Sequence, residues 1–213
     1  MRPLLILGAL VLWKILSEGG LRKGMTLTRR DFILKLKPDA EAEKAASGIH
    51  ADLGMLQAAH ESANGNSALS SPDSLLEVRD NNGVIRVGAA NNLFGFTAEP
   101  GTYWRKQNQP FVLMKTTEYV KVPGKAKVLS GPDANGFFKV EVERPFRAYA
   151  SWGDSYRDWA RLMKTSNYVE AGTLAALKAG DIKAWANSLI TARYATDPKY
   201  ALKLIAMGKE NFA

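Results

Sequence analysis

A β-rich stretch divides the helical pattern of this chain into two parts. Apolar residues recur at near-helical spacing from Asp31 to about Gly65, and again from Ser151 to about Gly208. Between them, strand-like runs alternate with turn sequences, among them an Asn-Asn-Gly turn at residues 81–83. This order predicts an α+β fold, mainly α, with one domain over residues 31–213 and a β-lobe at about residues 74–145.

A short apolar run opens the sequence. Residues 3–13 carry no charge, and Lys14 interrupts the run. Because a membrane span needs about 20 apolar residues, the alternatives are a signal-peptide core, a signal anchor that spans a thinned bilayer, a re-entrant segment and a buried helix. We predict a hydrophobic helix that acts as a membrane or signal-anchor segment at residues 1–17, followed by a basic linker at residues 18–30. The basic residues of this linker favour a protein body that starts on the cytoplasmic side.

The residue types in the chain exclude several kinds of chemistry. There is no cysteine, so disulfides and cysteine nucleophiles are ruled out, and a histidine-based zinc site or catalytic triad would need His50 or His60. Glycine-rich patterns for nucleotide phosphates are also missing. We therefore expect no cofactor and no metal. The net charge of +8 favours an anionic partner, which could be nucleic acid, anionic lipid or an acidic wall polymer.

Glu61 is the first candidate for chemistry. It lies near the end of an alanine- and leucine-rich helical pattern that Gly65 is expected to close. The negative end of the helix dipole and an apolar setting both favour a neutral carboxyl group, as a proton donor needs. The alternative is a solvated glutamate at a helix end, which is the more common situation.

Five sequence blocks occur in an order that resembles one enzyme family. The blocks are QAAHESANG at residues 57–65, NNLFG at 91–95, TTEY at 116–119, FRAY at 146–149 and YATDPKY at 194–200. The chain resembles the glucosaminidases of glycoside hydrolase family 73, which include the flagellar peptidoglycan hydrolase domain and many phage and autolytic enzymes. This resemblance implies a lysozyme-like helical core with a β-hairpin lobe that flanks the active-site cleft.

The resemblance also implies roles for individual residues. Glu61 would be the general acid, Glu118 would activate water or stabilise positive charge, and Tyr194 would line the cleft near the acid. The residues expected to shape the sugar-binding groove are Asn92, Phe94, Trp104 and Tyr119. Phe94 and Tyr119 could equally be half-buried aromatics, and Tyr200 is expected to pack against the core.

The implied function is hydrolysis of a β-1,4 bond of peptidoglycan, of the endo-β-N-acetylglucosaminidase type. The expected partners are glycan strands and a membrane, which residues 1–17 would contact; no nucleic acid is expected. The expected setting is a phage lysin or virion enzyme that acts in the periplasm or cell wall. Two alternatives remain: a lytic transglycosylase, and a membrane-anchored structural or assembly protein with a non-catalytic groove. The chain departs from the family pattern at His60, in the long segment 66–90 and in an enlarged β-lobe, which leaves the placement of Glu118 open.

Overall fold

The computed structural model describes residues 26–195, 197 and 199–212 of the chain, which hold eight helices and one five-stranded sheet. The hydrophobic helix predicted at residues 1–17 and most of the predicted linker lie outside these residues. The last two linker positions, Arg29 and Arg30, are the first two residues of a helix. Within the same described ranges, no helix has the length and apolar character needed to cross a membrane.

Two helices precede the sheet. Helix α1 covers Arg29–Ser47, and the Thr28 side chain caps it by accepting a hydrogen bond from the backbone N–H of Asp31 at 3.2 Å. The left-handed residue Gly48 ends α1, and helix α2 follows at Ala51–Ser62. Apolar side chains on both helices are buried, so the periodicity read from the sequence corresponds to the faces that form the core.

The sheet is antiparallel throughout, with the strand order β2-β1-β3-β5-β4. Its strands are β1, Leu76–Asp80; β2, Gly83–Gly88; β3, Phe111–Val120; β4, Lys127–Ser130; and β5, Phe138–Arg147. The short helix α3, Tyr103–Lys106, lies in the connection before β3. Strands β3 and β5 pair over ten residues, from the pair of Phe111 with Arg147 to the pair of Val120 with Phe138.

Five helices follow the sheet: α4, Trp152–Met163; α5, Ser166–Glu170; α6, Thr173–Ala179; α7, Ile182–Thr191; and α8, Tyr200–Phe212. The Ser151 hydroxyl caps α4 by accepting from the N–H of Asp154 at 3.1 Å, as its sequence signature predicts. The sequence cap Asp197-Pro198 predicts a last helix that opens at these residues, but the helix begins at Tyr200. Asp197 instead holds the turn before it, where its carboxylate accepts from the N–H of Lys199 at 2.9 Å.

The hydrophobic core has two parts. The larger one lies among the helices around Trp159 and Trp185, both fully buried, and a smaller one lies against the sheet around Val112 and Phe146. The mixed α and β composition predicted from the sequence is therefore confirmed. The sheet is more extensive than the predicted hairpin lobe, because five strands join in one hydrogen-bonded layer.

Candidate active site

Glu61 lies inside the protein near the end of α2. Its side chain is almost fully buried, with a residual exposure of 3%, and its Oε1 accepts a hydrogen bond from the Tyr200 hydroxyl at 2.5 Å. Burial raises the pKa of the Glu61 carboxyl to about 7, and the hydrogen bond from Tyr200 opposes this rise. At neutral pH a substantial fraction of Glu61 is thus protonated, which is the state required of a proton donor.

The chain turns sharply just after Glu61. Helix α2 ends at Ser62, and Ala63, Asn64 and Gly65 all adopt left-handed backbone conformations, with φ of 52°, 58° and 75°. The reversal therefore starts two residues before the predicted stop at Gly65. Glu61 nevertheless falls in the last helical turn, as predicted, and the Ser62 hydroxyl fixes the turn by accepting from the N–H of Gly65 at 2.8 Å.

Tyr200 donates directly to Glu61 and is the last member of a chain of hydrogen bonds that was not predicted from the sequence. The Gln57 Nε2 donates to the Tyr200 hydroxyl at 3.1 Å, and the indole N–H of Trp159 donates to the Gln57 Oε1 at 2.9 Å. Tyr200 does pack in the core, as expected, but its hydroxyl is also the hydrogen-bond partner of Glu61. One signal was available: Gln57 and Glu61 are four residues apart, so they lie on the same face of α2.

Tyr194 lies in the same buried cluster. Its ring centroid is 5.9 Å from that of Tyr200, and its hydroxyl lies near Gln57 without hydrogen-bond geometry to any residue in the described part of the chain. Burial, followed by the negative charge of Glu61, raises the pKa of Tyr194 well above its usual value. The structure therefore brings together Glu61 and Tyr194, which are 133 positions apart in the sequence.

Glu118 lies on β3, where its side chain is 11% exposed. Its Oε1 accepts from the Nε of Arg144 on β5 at 2.5 Å, and the same guanidinium donates through Nη1 to Glu99 at 2.8 Å. The shift in the pKa of Glu61 has two causes, burial and Tyr200, and Glu118 is not one of them.

Asn92 and Phe94 differ from their expected place in the groove. The Asn92 side chain is buried and bonds only to backbone: it donates to the carbonyls of Phe96 and Arg147 and accepts from the N–H of Phe96. Phe94 is fully buried and stacks on Trp159, with ring centroids 5.5 Å apart. In this structure the Asn92 side chain supports the loop, and the Phe94 ring belongs to the core.

The remaining two predicted groove residues lie closer to the surface. Trp104 is half-buried; its indole N–H donates to the carbonyl of Pro110 at 2.7 Å, and the Arg147 guanidinium lies 5.2 Å from its ring. Tyr119 is 58% exposed. Because Tyr119 follows Glu118 directly in a strand, the two side chains point to opposite faces of the sheet.

The FRAY block links the sheet to α4, a role that the sequence analysis did not assign. The Tyr149 hydroxyl donates to Asp158 at 2.8 Å, and the Arg147 Nη1 donates to the same carboxylate oxygen at 2.5 Å. Burial acts to raise the pKa of Asp158, but Arg147, Tyr149 and Arg161 outweigh it and hold that pKa below its usual value. Asp158 therefore remains ionised within this junction.

The histidines and acidic residues do not gather into a metal site: in the ranges that the structure describes, no group of three or more could hold a metal ion. His60, next to Glu61, instead packs edge-on against the Tyr200 ring, with centroids 5.4 Å apart. The chemistry available at the site is that of a buried carboxylic acid with tyrosine hydroxyls around it.

A buried carboxylic acid with a pKa near neutrality, held in a mixed α/β domain, is the kind of site that glycosidases use as a proton donor. The family comparison agrees with that class. The chain belongs to the Glucosaminidase family, described as mannosyl-glycoprotein endo-β-N-acetylglucosaminidase, whose model matches residues 37–212.

Three related proteins share between 26% and 31% sequence identity with this chain. An autolysin of Enterococcus faecalis is 31% identical over 84% of this chain, and a probable N-acetylmuramidase of Lactococcus lactis subsp. cremoris is 30% identical over 81% of it. The matched part is 20% of the first protein and 31% of the second, so the chain spans at most about a third of these relatives. The peptidoglycan hydrolase FlgJ of Vibrio cholerae is 26% identical over 84% of the chain and 42% of its own length.

Solved structures share the fold. A C-terminally truncated glycoside hydrolase domain of Salmonella typhimurium FlgJ is 28% identical, with a TM-score of 0.54 over 86% of this chain and 97% of that one. A peptidoglycan hydrolase mutant from Sphingomonas sp. A1 is 25% identical, with a TM-score of 0.57 over 86% of this chain and 94% of that one. The arrangement of helices and sheet is therefore that of the family.

Proposed function

We propose that this chain is a glycosidase that cleaves β-1,4 bonds in the glycan strands of peptidoglycan, with Glu61 as the general acid. The observation that carries the proposal is the buried Glu61 carboxyl, whose pKa of about 7 keeps a proton available at neutral pH. Membership of the Glucosaminidase family and relatives named as peptidoglycan hydrolases support the choice of substrate.

The proposed reaction begins when Glu61 gives its proton to the oxygen of the leaving sugar. The resulting carboxylate is stabilised by the Tyr200 hydroxyl, because that hydroxyl already donates to Oε1. Glu118 accepts a hydrogen bond from Arg144, and we assign it the acceptor role of activating water or stabilising positive charge. Tyr194 would orient the acetamido group of the sugar, and Trp104 and Tyr119 stay candidates for sugar contact.

The bond that we propose to be cut is the one that follows N-acetylglucosamine. The family description supports it, whereas some relatives are named as probable N-acetylmuramidases. A lytic transglycosylase would also need only one acid, but it would leave an anhydro-muramic end. The chemistry of the new sugar end therefore separates all three reactions.

The test is to digest purified sacculi with the full chain, reduce the products with borohydride and identify the sugar ends by mass spectrometry. N-acetylglucosaminitol ends support the proposal; muramitol or anhydro-muramic ends contradict the proposed bond or reaction. A Glu61→Gln variant should release no products above background, while Glu170→Gln, a change at an exposed glutamate of α5, should match the parent. A Glu61→Gln variant as active as the parent would contradict Glu61 as the general acid. A parent that releases no products would favour the non-catalytic glycan-binding role instead.

The proposed setting is a phage lysin or virion-associated enzyme that is held at a membrane by residues 1–17 and acts on the cell wall. The support comes from the sequence: the apolar run at residues 3–13 and the basic residues that follow it. A reporter fused to the C-terminus of the full chain tests the starting side of the membrane. Immediate export of the reporter in uninfected cells would contradict a body that is first held in the cytoplasm.

A further inference from the structure

We propose that a one-way relay of hydrogen bonds determines which oxygen of Glu61 delivers the proton. The relay consists of Trp159, Gln57 and Tyr200, in that order. It keeps the Tyr200 hydroxyl donating to Oε1, so that Oε2 is the oxygen that carries and releases the proton. This inference rests on the proposed function, because it concerns the proposed acid.

The three relay side chains are continuous and fully buried. The successive donor–acceptor distances are 2.9 Å from the indole nitrogen to Gln57, 3.1 Å from Gln57 to Tyr200 and 2.5 Å from Tyr200 to Glu61. Each relay residue has an exposure of 0%. They come from three different helices, so the fold itself sets their spacing.

The direction of the relay follows from the chemistry of tryptophan. An indole N–H can only donate, so the group of Gln57 that faces Trp159 must be the amide oxygen. The amide NH₂ of Gln57 then faces Tyr200 and donates to its hydroxyl oxygen. With that oxygen acting as the acceptor from Gln57, the hydroxyl proton of Tyr200 points to Glu61.

The opposite direction is strongly disfavoured. If the Gln57 amide were rotated, its NH₂ would face the indole N–H, and two buried donors would confront each other. Buried donors without acceptors destabilise the folded state, because they lose their hydrogen bonds to water and gain none in the protein. Because both groups are fully buried, water cannot relieve that conflict.

This direction has a consequence for the acid. A fixed donor at Oε1 places the proton of neutral Glu61 on Oε2, since Oε1 already serves as the acceptor. In the part of the chain that the structure describes, the hydrogen bond from Tyr200 is the one that reaches the Glu61 carboxyl group. After proton transfer the same donor stabilises the carboxylate, so Tyr200 and Gln57 act as positioning residues.

The experiment measures the titration of Glu61 directly, by ¹³C NMR of the labelled glutamate carboxyl carbons in the full chain, with Glu61→Gln used to assign the signal. Tyr200→Phe should raise the midpoint above the parent value by roughly one pH unit, because a donor to the charged form is lost. Gln57→Met keeps the side-chain volume but removes the amide donor, and its midpoint should lie between those of the parent and Tyr200→Phe.

The matched control is Tyr168→Phe. This change removes the hydroxyl of a buried tyrosine that packs near Tyr194, with ring centroids 6.5 Å apart, and that is not among the causes of the raised pKa of Glu61. Its midpoint should equal that of the parent. A midpoint equal to that of the parent in Tyr200→Phe or in Gln57→Met would overturn the relay, because a purely packing role predicts no shift. If Tyr200→Phe does not fold, the midpoint of Gln57→Met alone decides the question.

Activity gives a second readout. For Tyr200→Phe, kcat/KM on sacculi should fall about tenfold, and its decline at alkaline pH should move upward with the NMR midpoint. An inactive parent would overturn the proposed function, whereas the NMR midpoints would still decide the relay. The two failures are therefore distinguishable.

Discussion

Arg144 and Glu118 form an ion pair that runs diagonally across strands β3 and β5, with 2.5 Å between Nε and Oε1. In the register of the sheet Glu118 is opposite Val140, so Arg144 reaches it from four positions further along β5. The hydrogen bond to Glu118 is the main cause of the raised pKa of Arg144. The guanidinium holds Glu118 as a hydrogen-bond acceptor on one face of the sheet.

This pairing predicts different results for the two glutamates that share Arg144. Glu118→Gln should lower kcat/KM on sacculi by about a hundredfold, because the amide cannot take up a proton or stabilise positive charge as a carboxylate does. Glu99→Gln, which changes the other and more exposed partner of Arg144, should lower it by less than about threefold. Equal effects in the two variants would contradict an acceptor role specific to Glu118.

The pKa of Glu61 predicts how activity varies with pH. A general acid must be protonated, so kcat/KM should be level below about pH 7 and should fall about tenfold per pH unit above it. Initial rates of dye release from labelled sacculi at constant ionic strength measure this profile, and circular dichroism over the same range shows whether the fold persists. A folded enzyme with undiminished kcat/KM at pH 9 would exclude Glu61 as the proton donor.

The same pKa predicts a dependence of stability on pH. Glu61 titrates near 4.5 when unfolded and near 7 when folded, so between these values the folded state binds the additional proton and loses stability as the pH rises. The loss approaches about 3 kcal/mol at full deprotonation. Glu61→Gln removes this titrating group, so the variant does not lose that stability. The free energy of unfolding of the variant minus that of the parent should therefore increase from pH 4.5 to about pH 7 and then level off.

Urea denaturation at each pH measures that difference, with Glu170→Gln as the control for loss of an exposed carboxylate. The control should show no such trend relative to the parent. A difference between Glu61→Gln and the parent that stays constant with pH would mean that burial does not raise the pKa of Glu61.

Local patterns were sufficient to predict the end of α2 to within two residues. They also place Glu61 in a last helical turn, because helical periodicity and a following glycine are short-range signals. The apolar setting at the helix end also predicted a raised pKa for Glu61, and burial is the main cause of that rise.

Those short-range patterns could not predict contacts between distant segments of the chain. The hydrogen bond from Tyr200 to Glu61 joins residues 139 positions apart, and it depends on how α8 packs against α2. Asn92 and Phe94 lie in a loop, where no periodicity shows which side chains turn inward. The opposite orientation of Glu118 and Tyr119 does follow from strand alternation, but only once both residues are known to lie in β3.

Gly54 connects the packing of α2 to the relay. A Cβ atom at this position would overlap the Tyr156 hydroxyl and would lie within 2.8 Å of the Trp159 ring. Gly54→Ala should therefore destabilise the protein by about 2–3 kcal/mol, typical of overpacking, and should lower kcat/KM because Trp159 is displaced from Gln57. Gly131→Ala adds the same methyl group where no other atom lies within 4 Å, so its thermal midpoint and its activity should match those of the parent. Differential scanning calorimetry and sacculus assays on both variants test this prediction. A Gly54→Ala protein as stable as Gly131→Ala would show that α2 and α4 are not packed as closely as this contact requires.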